Sequence, residues 1–142
     1  MRDIEIFDID AVTGKITFNF NKGQAAVRGR KALIQLVTLN LLNDEGSNSY
    51  NARKGTNVLS ILNGAYTKED EDIISTLLTL EIAKLEQYII SEQASIVFTG
   101  AELDGKLKKL EIFSVGFNAS SVAWDVKLLI TTAANNIGIV NL

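Results

Sequence analysis

The groups in this chain that could do chemistry are carboxylates. Its 142 residues include 17 Asp and Glu and 14 Lys and Arg, with no histidine and no cysteine. Lack of histidine removes the commonest general base and transition-metal ligand, and with them Ser-His-Asp, Cys-His and zinc chemistry. Lack of cysteine excludes disulfides and thiolate metal sites. Two carboxylates alone can hydrolyse a glycoside when held at a set separation. Glu102 with Asp104, or Glu92 with Glu111, are the pairs to consider, yet nothing in their spacing indicates a shared cleft and solvated charge accounts for each. Lys22, Arg28 and Arg30, among the glycines of NKGQAAVRGR, lack the ordered Gly-x-x-x-x-Gly-Lys-Ser/Thr pattern of a phosphate cradle. A solvated connection into a helix is expected there. The chain reads as non-enzymatic, with no cofactor and no metal.

Binding is the better prospect. Residues 43–57, NDEGSNSYNARKGTN, break all periodicity and exceed the usual connection of about four to six residues. A loop this long in a compact domain is usually functional or disordered. Mixed charge surrounds a single aromatic, so Tyr50 and Arg53 are expected to contact a partner rather than to catalyse.

The element expected to organise the rest is Thr67–Gln93. Thr67 with Asp70 fits a capping box, and Glu69, Asp70, Glu71 and Asp72 set negative charge at the positive end of the helix dipole. That acidic run could be a cation site; dipole compensation is the simpler account. Apolar residues recur in one row at Ile73, Leu77, Leu80 and Tyr88, broken by Lys84, and in a second at Ile74, Leu78, Ile82, Leu85 and Ile89. Two adjacent rows predict a helix buried along much of its length.

Upstream, Ile4–Asp8 and Lys15–Phe20 read as paired strands turning at Gly14. Arg30–Leu42 is helical in pattern, and Val58–Leu62 reads as a short helical turn ended by Asn63-Gly64. Downstream, Ser95–Thr99 is apolar and β-prone, and AELDGK reads as a turn. Lys106–Phe117 is strand-like with a register shift near Ile112-Phe113 that suggests a bulge. Ser121–Thr131 is the clearest strand, with Trp124 placed in its core-facing row. Residues 136–142 form a β-prone end that needs a sheet edge in its own chain or another. The expected class is α+β: a small mixed or antiparallel sheet, one long central helix, one shorter helix and a β-rich C-terminal third.

The totals agree with one domain over residues 1–142. A hydrophobic share of 46% and a charged share of 22% are ordinary for a folded protein. A net charge of −3 gives no basic footprint, so nucleic acid is not an expected partner. No apolar run suits a membrane span, and MRDIEIFDID does not resemble a signal peptide.

This order of features resembles a family. A strand pair leads through a glycine into GRKALIQLVTLNLLN; a loop follows with Gly46-Ser47, Gly55-Thr56 and Leu59; then a long helix and the strands LKKLEIFSVGF and VAWDVKLLITT. The pattern is similar to the small baseplate wedge proteins of contractile phage tails, the sheath initiators, which are also similar to a component of type VI secretion baseplates. Gln35 and Leu41-Leu42 match a family habit in the first helix. Ala52 and Lys54 stand where the family usually has proline and an aromatic, and Glu92-Gln93-Ala94 is the nearest stretch to its Glu-Pro-Arg.

The resemblance implies structural work in a virion tail baseplate: linking wedge and tube to the first ring of sheath and initiating sheath assembly by strand addition. The implied partners are sheath protein, baseplate wedge subunits and tail tube proteins, with several copies in a ring. The residues implied in protein binding are Tyr50, Arg53, Gly55 and Thr56 in the loop, and Ile137, Ile139 and Val140 in the last strand. On that reading, removing 136–142 is expected to leave a folded domain that no longer recruits sheath. A generic α+β protein-binding module unrelated to tails is the alternative.

Overall fold

The computed structural model describes residues 28–142 apart from 48, 52 and 65–66, together with the backbone of residues 3–4, 7–9, 16–18 and 26–27. Strand β1 (Asp3–Ile4) pairs antiparallel with β4 (Ala26–Val27), and β2 (Phe7–Ile9) with β3 (Ile16–Phe18). The second pairing is the hairpin expected from the sequence. The first is new, because Ala26-Val27 lies in what reads as a plain connection. Gly14, Lys15, Asn19, Phe20 and Lys22 lie outside the described residues.

Helix α1 (Arg30–Leu42) has the predicted bounds. It is buried on more than one side: Leu33, Val37 and Leu41 join the apolar core, while Thr38 and Asn40 return hydrogen bonds to the carbonyls of Ile34 and Leu36. A short helix α2 (Val58–Leu62) follows the long loop. Thr67 and Asp70 form the predicted capping box at a 3₁₀ turn over Lys68–Asp70, which feeds helix α3 (Glu71–Gln93).

Only one of the two apolar rows of α3 is core. Ile74, Leu78, Ile82, Leu85 and Ile89 are buried, each worth about 1.5–3 kcal/mol against exposure. The other row is not, with Ile73 55% and Leu80 57% exposed. The sequence-based expectation of a helix buried along both rows is corrected here: the core supplies partners on one side only. Residues 95–99 also differ from their β-prone reading; they form no strand, and Ile96 and Val97 are exposed. Among the described residues no strand pairs with this segment, so β propensity has nothing there to act on.

The C-terminal third is an antiparallel sheet of β5 (Leu107–Asn118), β6 (Ala123–Thr132) and β7 (Ile137–Asn141), with β6 in the middle. The expected bulge is present as a register shift between Ile112 and Ser114. Trp124, Val126, Leu128 and Ile130 of β6 are buried, and Phe117 meets the Trp124 ring edge-on at 5.2 Å. The fold is thus α+β with its core between this sheet, α1 and α3. Val140 is fully buried in it, so the expectation that 136–142 can be cut away without loss of fold is also corrected. Removing it would open the core.

Helix α3 is stitched to β5 by two side chains seven residues apart, hence on one face. Glu86 Oε2 accepts the Leu110 N–H at 2.7 Å. Gln93, buried, accepts the Leu107 N–H at 2.8 Å and donates to the Gly105 carbonyl at 3.0 Å. A second polar tie holds the β6–β7 turn, where Asp104 Oδ1 accepts from the Thr132 hydroxyl and the Asn136 amide, both at 2.9 Å. Asp104 therefore has a structural occupation.

Gln93→Leu leaves a buried N–H and a buried carbonyl unpaired, at about 1–3 kcal/mol for each. A urea unfolding curve is expected to show a correspondingly lower midpoint. An unchanged midpoint for Gln93→Leu would show that these bonds do not hold the helix to the sheet.

Candidate functional site

The loop 43–57 is closed at its base. Thr56 donates its N–H to the Asn43 carbonyl at 2.9 Å, Glu45 donates its own to the Thr56 carbonyl at 3.2 Å, and Asp44 and Thr56 form an isolated β-bridge. Long loops whose ends meet in this way are compact surface modules. Gly55 is required at that junction: its φ is +98°, and a Cβ there would sit 2.6 Å from the Asp44 carbonyl oxygen. Its N–H donates to the Asn40 side chain at 3.2 Å. Thr56 is buried. Both residues, expected at a binding surface, take part in closing the loop's base, Gly55 half-buried and Thr56 buried.

Glu81 of α3 latches the loop's end. Its Oε2 accepts the Asn57 N–H at 3.1 Å, and its Oε1 accepts from Lys84 Nζ at 2.8 Å. Burial pushes the Glu81 carboxyl up, but the bonds from Lys84 and the Asn57 N–H outweigh it and hold the group below its ordinary range. The bond to Glu81 in turn raises the Lys84 ammonium. Further along, Asn51 Nδ2 donates to the Tyr88 hydroxyl at 3.0 Å. Burial, aided by the charge of Glu92, pushes that phenol up.

The loop tip faces solvent. Tyr50 is 99% exposed and Arg53 is exposed too. Between loop and α3 runs an open groove of about 780 Å³. Its floor is the outer row of α3, namely Leu77, Leu80, Lys84 and Tyr88, and Ile61 of α2 and Glu45 and Arg53 of the loop also line it. Arg53 is the predicted site residue that reaches this groove. The floor was missed as a site because its row was read as core. One signal of its exposure was present in the sequence: Lys84 interrupts it.

The predicted strand residues lie elsewhere. In β7, Asn136 accepts the Thr132 N–H through its carbonyl, and Leu142 donates its N–H to the Val126 carbonyl. Even-numbered residues therefore bond to β6, and the N–H and C=O groups of Ile137 and Ile139 point away from it. The Arg30 guanidinium takes the Ile137 carbonyl at 3.1 Å. Ile137 is 55% exposed, Ile139 half-buried, and Val140 faces the core.

Among the described residues, no three His, Cys, Asp or Glu are grouped so as to hold a metal ion, and no helix is long and apolar enough to cross a membrane. No family model, curated protein or solved structure matches the chain.

The latch has a pH signature. A carboxyl whose pKa is lowered on folding contributes stability above its unfolded value, about 4.3 for glutamate, and loses it as pH falls through the folded value. The stability difference between the native protein and Glu81→Gln is therefore expected to be full at pH 7 and to shrink below about pH 4. Urea unfolding at intervals from pH 7 to pH 3 measures it. A difference constant over that window would show that the Glu81 charge contributes nothing.

Proposed function

We propose that the protein is a non-enzymatic assembly component of a contractile tail baseplate, where it links wedge and tube to the first ring of sheath by accepting a strand on the rim of β7. The observation that carries this reading is the inequality of the two sheet rims. On β5, the N–H groups of Leu107 and Leu110 are engaged by α3 and a bulge follows at Ile112–Ser114, two devices that protect an edge. On β7 the register is regular throughout, and among the described residues the charge guarding it is that of Arg30, at its first residue. An added strand would take main-chain bonds at Ile139, with Ile137 and Ile139 offering apolar contact on the same face. Tyr50 and Arg53 supply a second contact surface to wedge or tube. The baseplate setting rests on the order of sequence features described above. Copies repeated around a ring would add modest contacts into firm attachment.

A generic protein-binding module would use the same rim with a different strand, so the partner decides between the two readings. Ile139→Pro is the variant of choice, because that N–H faces away from β6 and proline is tolerated at such edge positions. It is expected to keep the far-ultraviolet dichroism and unfolding midpoint of the native protein to within about 1 kcal/mol, yet to abolish co-sedimentation with sheath subunits of the same tail. Normal sheath recruitment by the folded variant would sink strand addition. Failure of the native protein to co-purify with any wedge, tube or sheath subunit would sink the baseplate reading itself.

A further inference from the structure

Arg30, the first residue of α1, reaches the rim of β7 rather than a carboxylate. Its guanidinium donates to the Ile137 carbonyl at 3.1 Å, and the residue is exposed. Among the described residues it makes no ion pair. Asp104, the acidic group at the same end of β7, is held otherwise, since its Oδ1 accepts from Thr132 and Asn136. A guanidinium carries five donors, and one main-chain carbonyl leaves most of them to water. A carboxylate suits it better, because the two can form parallel bonds.

The side from which Arg30 arrives fixes where such a carboxylate would stand. Side chains alternate along β7. Ile137 and Ile139 lie beside Thr131 and Leu129 of β6, on the face opposite to buried Val140. Gly138 is on the face that α1 covers: a Cβ there would come 2.8 Å from Ile34 Cδ1 and 4.0 Å from Arg30 Cδ. A strand added outside β7 alternates in the same way, and residues opposite one another share a face. Its residue opposite Gly138 therefore enters beside Arg30 and Ile34, while the residues on either side of it meet Ile137 and Ile139. The strand's own N–H also competes with Arg30 for the Ile137 carbonyl. Arg30 is then displaced toward that one side chain.

We propose that Arg30 selects the strand that β7 accepts, an inference that rests on the strand-accepting reading of that rim. The partner carries Asp or Glu opposite Gly138 and an apolar residue on either side, a run of apolar, acidic, apolar. That run reads the same in both directions, so it fits a parallel and an antiparallel strand. An acidic residue draws the guanidinium off the carbonyl and replaces the bond it gives up. A Lys or Arg there meets like charge, and an apolar residue strips water from the guanidinium without replacing it. The chain's own β7, Ile137-Gly138-Ile139, lacks the acidic centre. Phe7-Asp8-Ile9 has one, but as β2 it is already paired with β3, so the occupant is a strand of another protein.

The test uses three short blocked peptides of alternating valine and threonine that differ only in a central Val-X-Val, where X is Glu, Gln or Lys. Each is titrated into the full chain and followed by ¹⁵N-¹H NMR. Saturable shifts are expected at Ile137 and Ile139, with the Lys peptide about tenfold weaker than the Glu peptide and the Gln peptide between them. The gap is expected to narrow as salt rises. Arg30→Glu, which sets a favoured acidic residue in the first turn of α1, is expected to fold normally and to reverse the order. Arg30→Gln is expected to bind all three peptides within about twofold. Equal binding of the three by the native chain, or an order unchanged in Arg30→Glu, overturns selection by Arg30 and leaves strand addition standing. No shift at Ile137 or Ile139 with any peptide overturns strand addition and this inference with it. Self-association of the native chain that Asp8→Lys abolishes would overturn the choice of occupant in favour of β2 of a second copy.

Discussion

A helix laid against the rim of a sheet covers main-chain groups that water can no longer reach, and something on the helix must replace that water. In this protein Glu86 and Gln93 do so, two turns apart on α3, for the N–H groups of Leu110 and Leu107. Much else follows from that pair of contacts. They fix how α3 lies on β5, and so which of its apolar rows enters the core. They seal one rim of the sheet and leave β7 as the rim with regular, outward-facing groups. Because α3 is held along its length, Glu81 stands where the loop returns and can accept the Asn57 N–H. Gln93 also anchors the Gly105 carbonyl, which keeps the 3₁₀ turn over Gly100–Gly105 close to the start of α1; a Cβ on Gly105 would come within 3.4 Å of the Gly29 carbonyl.

The loop 43–57 obeys the same logic on a smaller scale. A polar segment of this length would be costly to order without internal bonds. Its base is closed by main-chain bonds at Asn43, Glu45 and Thr56, and its approach is possible only because residue 55 has no Cβ. With the base closed, Tyr50 and Arg53 are exposed at the tip, so the residues that build the loop and those that face outward are different sets. Short sequence motifs blur that division, since a Gly-Thr that shapes a loop and an aromatic that binds through it are neighbours in one string.

Much of the fold was legible because local signals were strong. The period of Arg30–Leu42, the Thr67–Asp70 capping box, the alternation through Trp124 and the slip at Ile112-Phe113 each depend on nearby residues. What was not legible depends on which partners the tertiary fold supplies. Leu77 and Leu80 have the same hydrophobicity as Leu78 and Leu85, and only the placement of the sheet makes one pair floor and the other core. Ile96, Val97 and Phe98 favour a strand, but among the described residues no strand pairs with them. The pairing of Asp3-Ile4 with Ala26-Val27 joins segments more than twenty residues apart, beyond any local signal. Thr56 and Val140 were read as surface from their motifs, and burial was the one property the motifs did not encode.

On the reading proposed above the chain would have to remain monomeric until its partners arrive, and the arrangement of surfaces bears on how. An open β rim and an exposed apolar helix face are each a liability for self-association. Arg30 places a charge at the first outward carbonyl of β7, where a like strand would begin to pair. The outer row of α3 is interrupted by Lys84, which sets a charge among its apolar groups. Both surfaces are thus biased against the commonest wrong partner, which for any protein made in quantity is itself. That bias costs some potential affinity, since a charge is kept on the rim and another in the groove. Where several copies engage together, such a loss at each contact is offset by multivalency, and a weak, selective single contact is then better suited to ordered assembly than a strong, indiscriminate one.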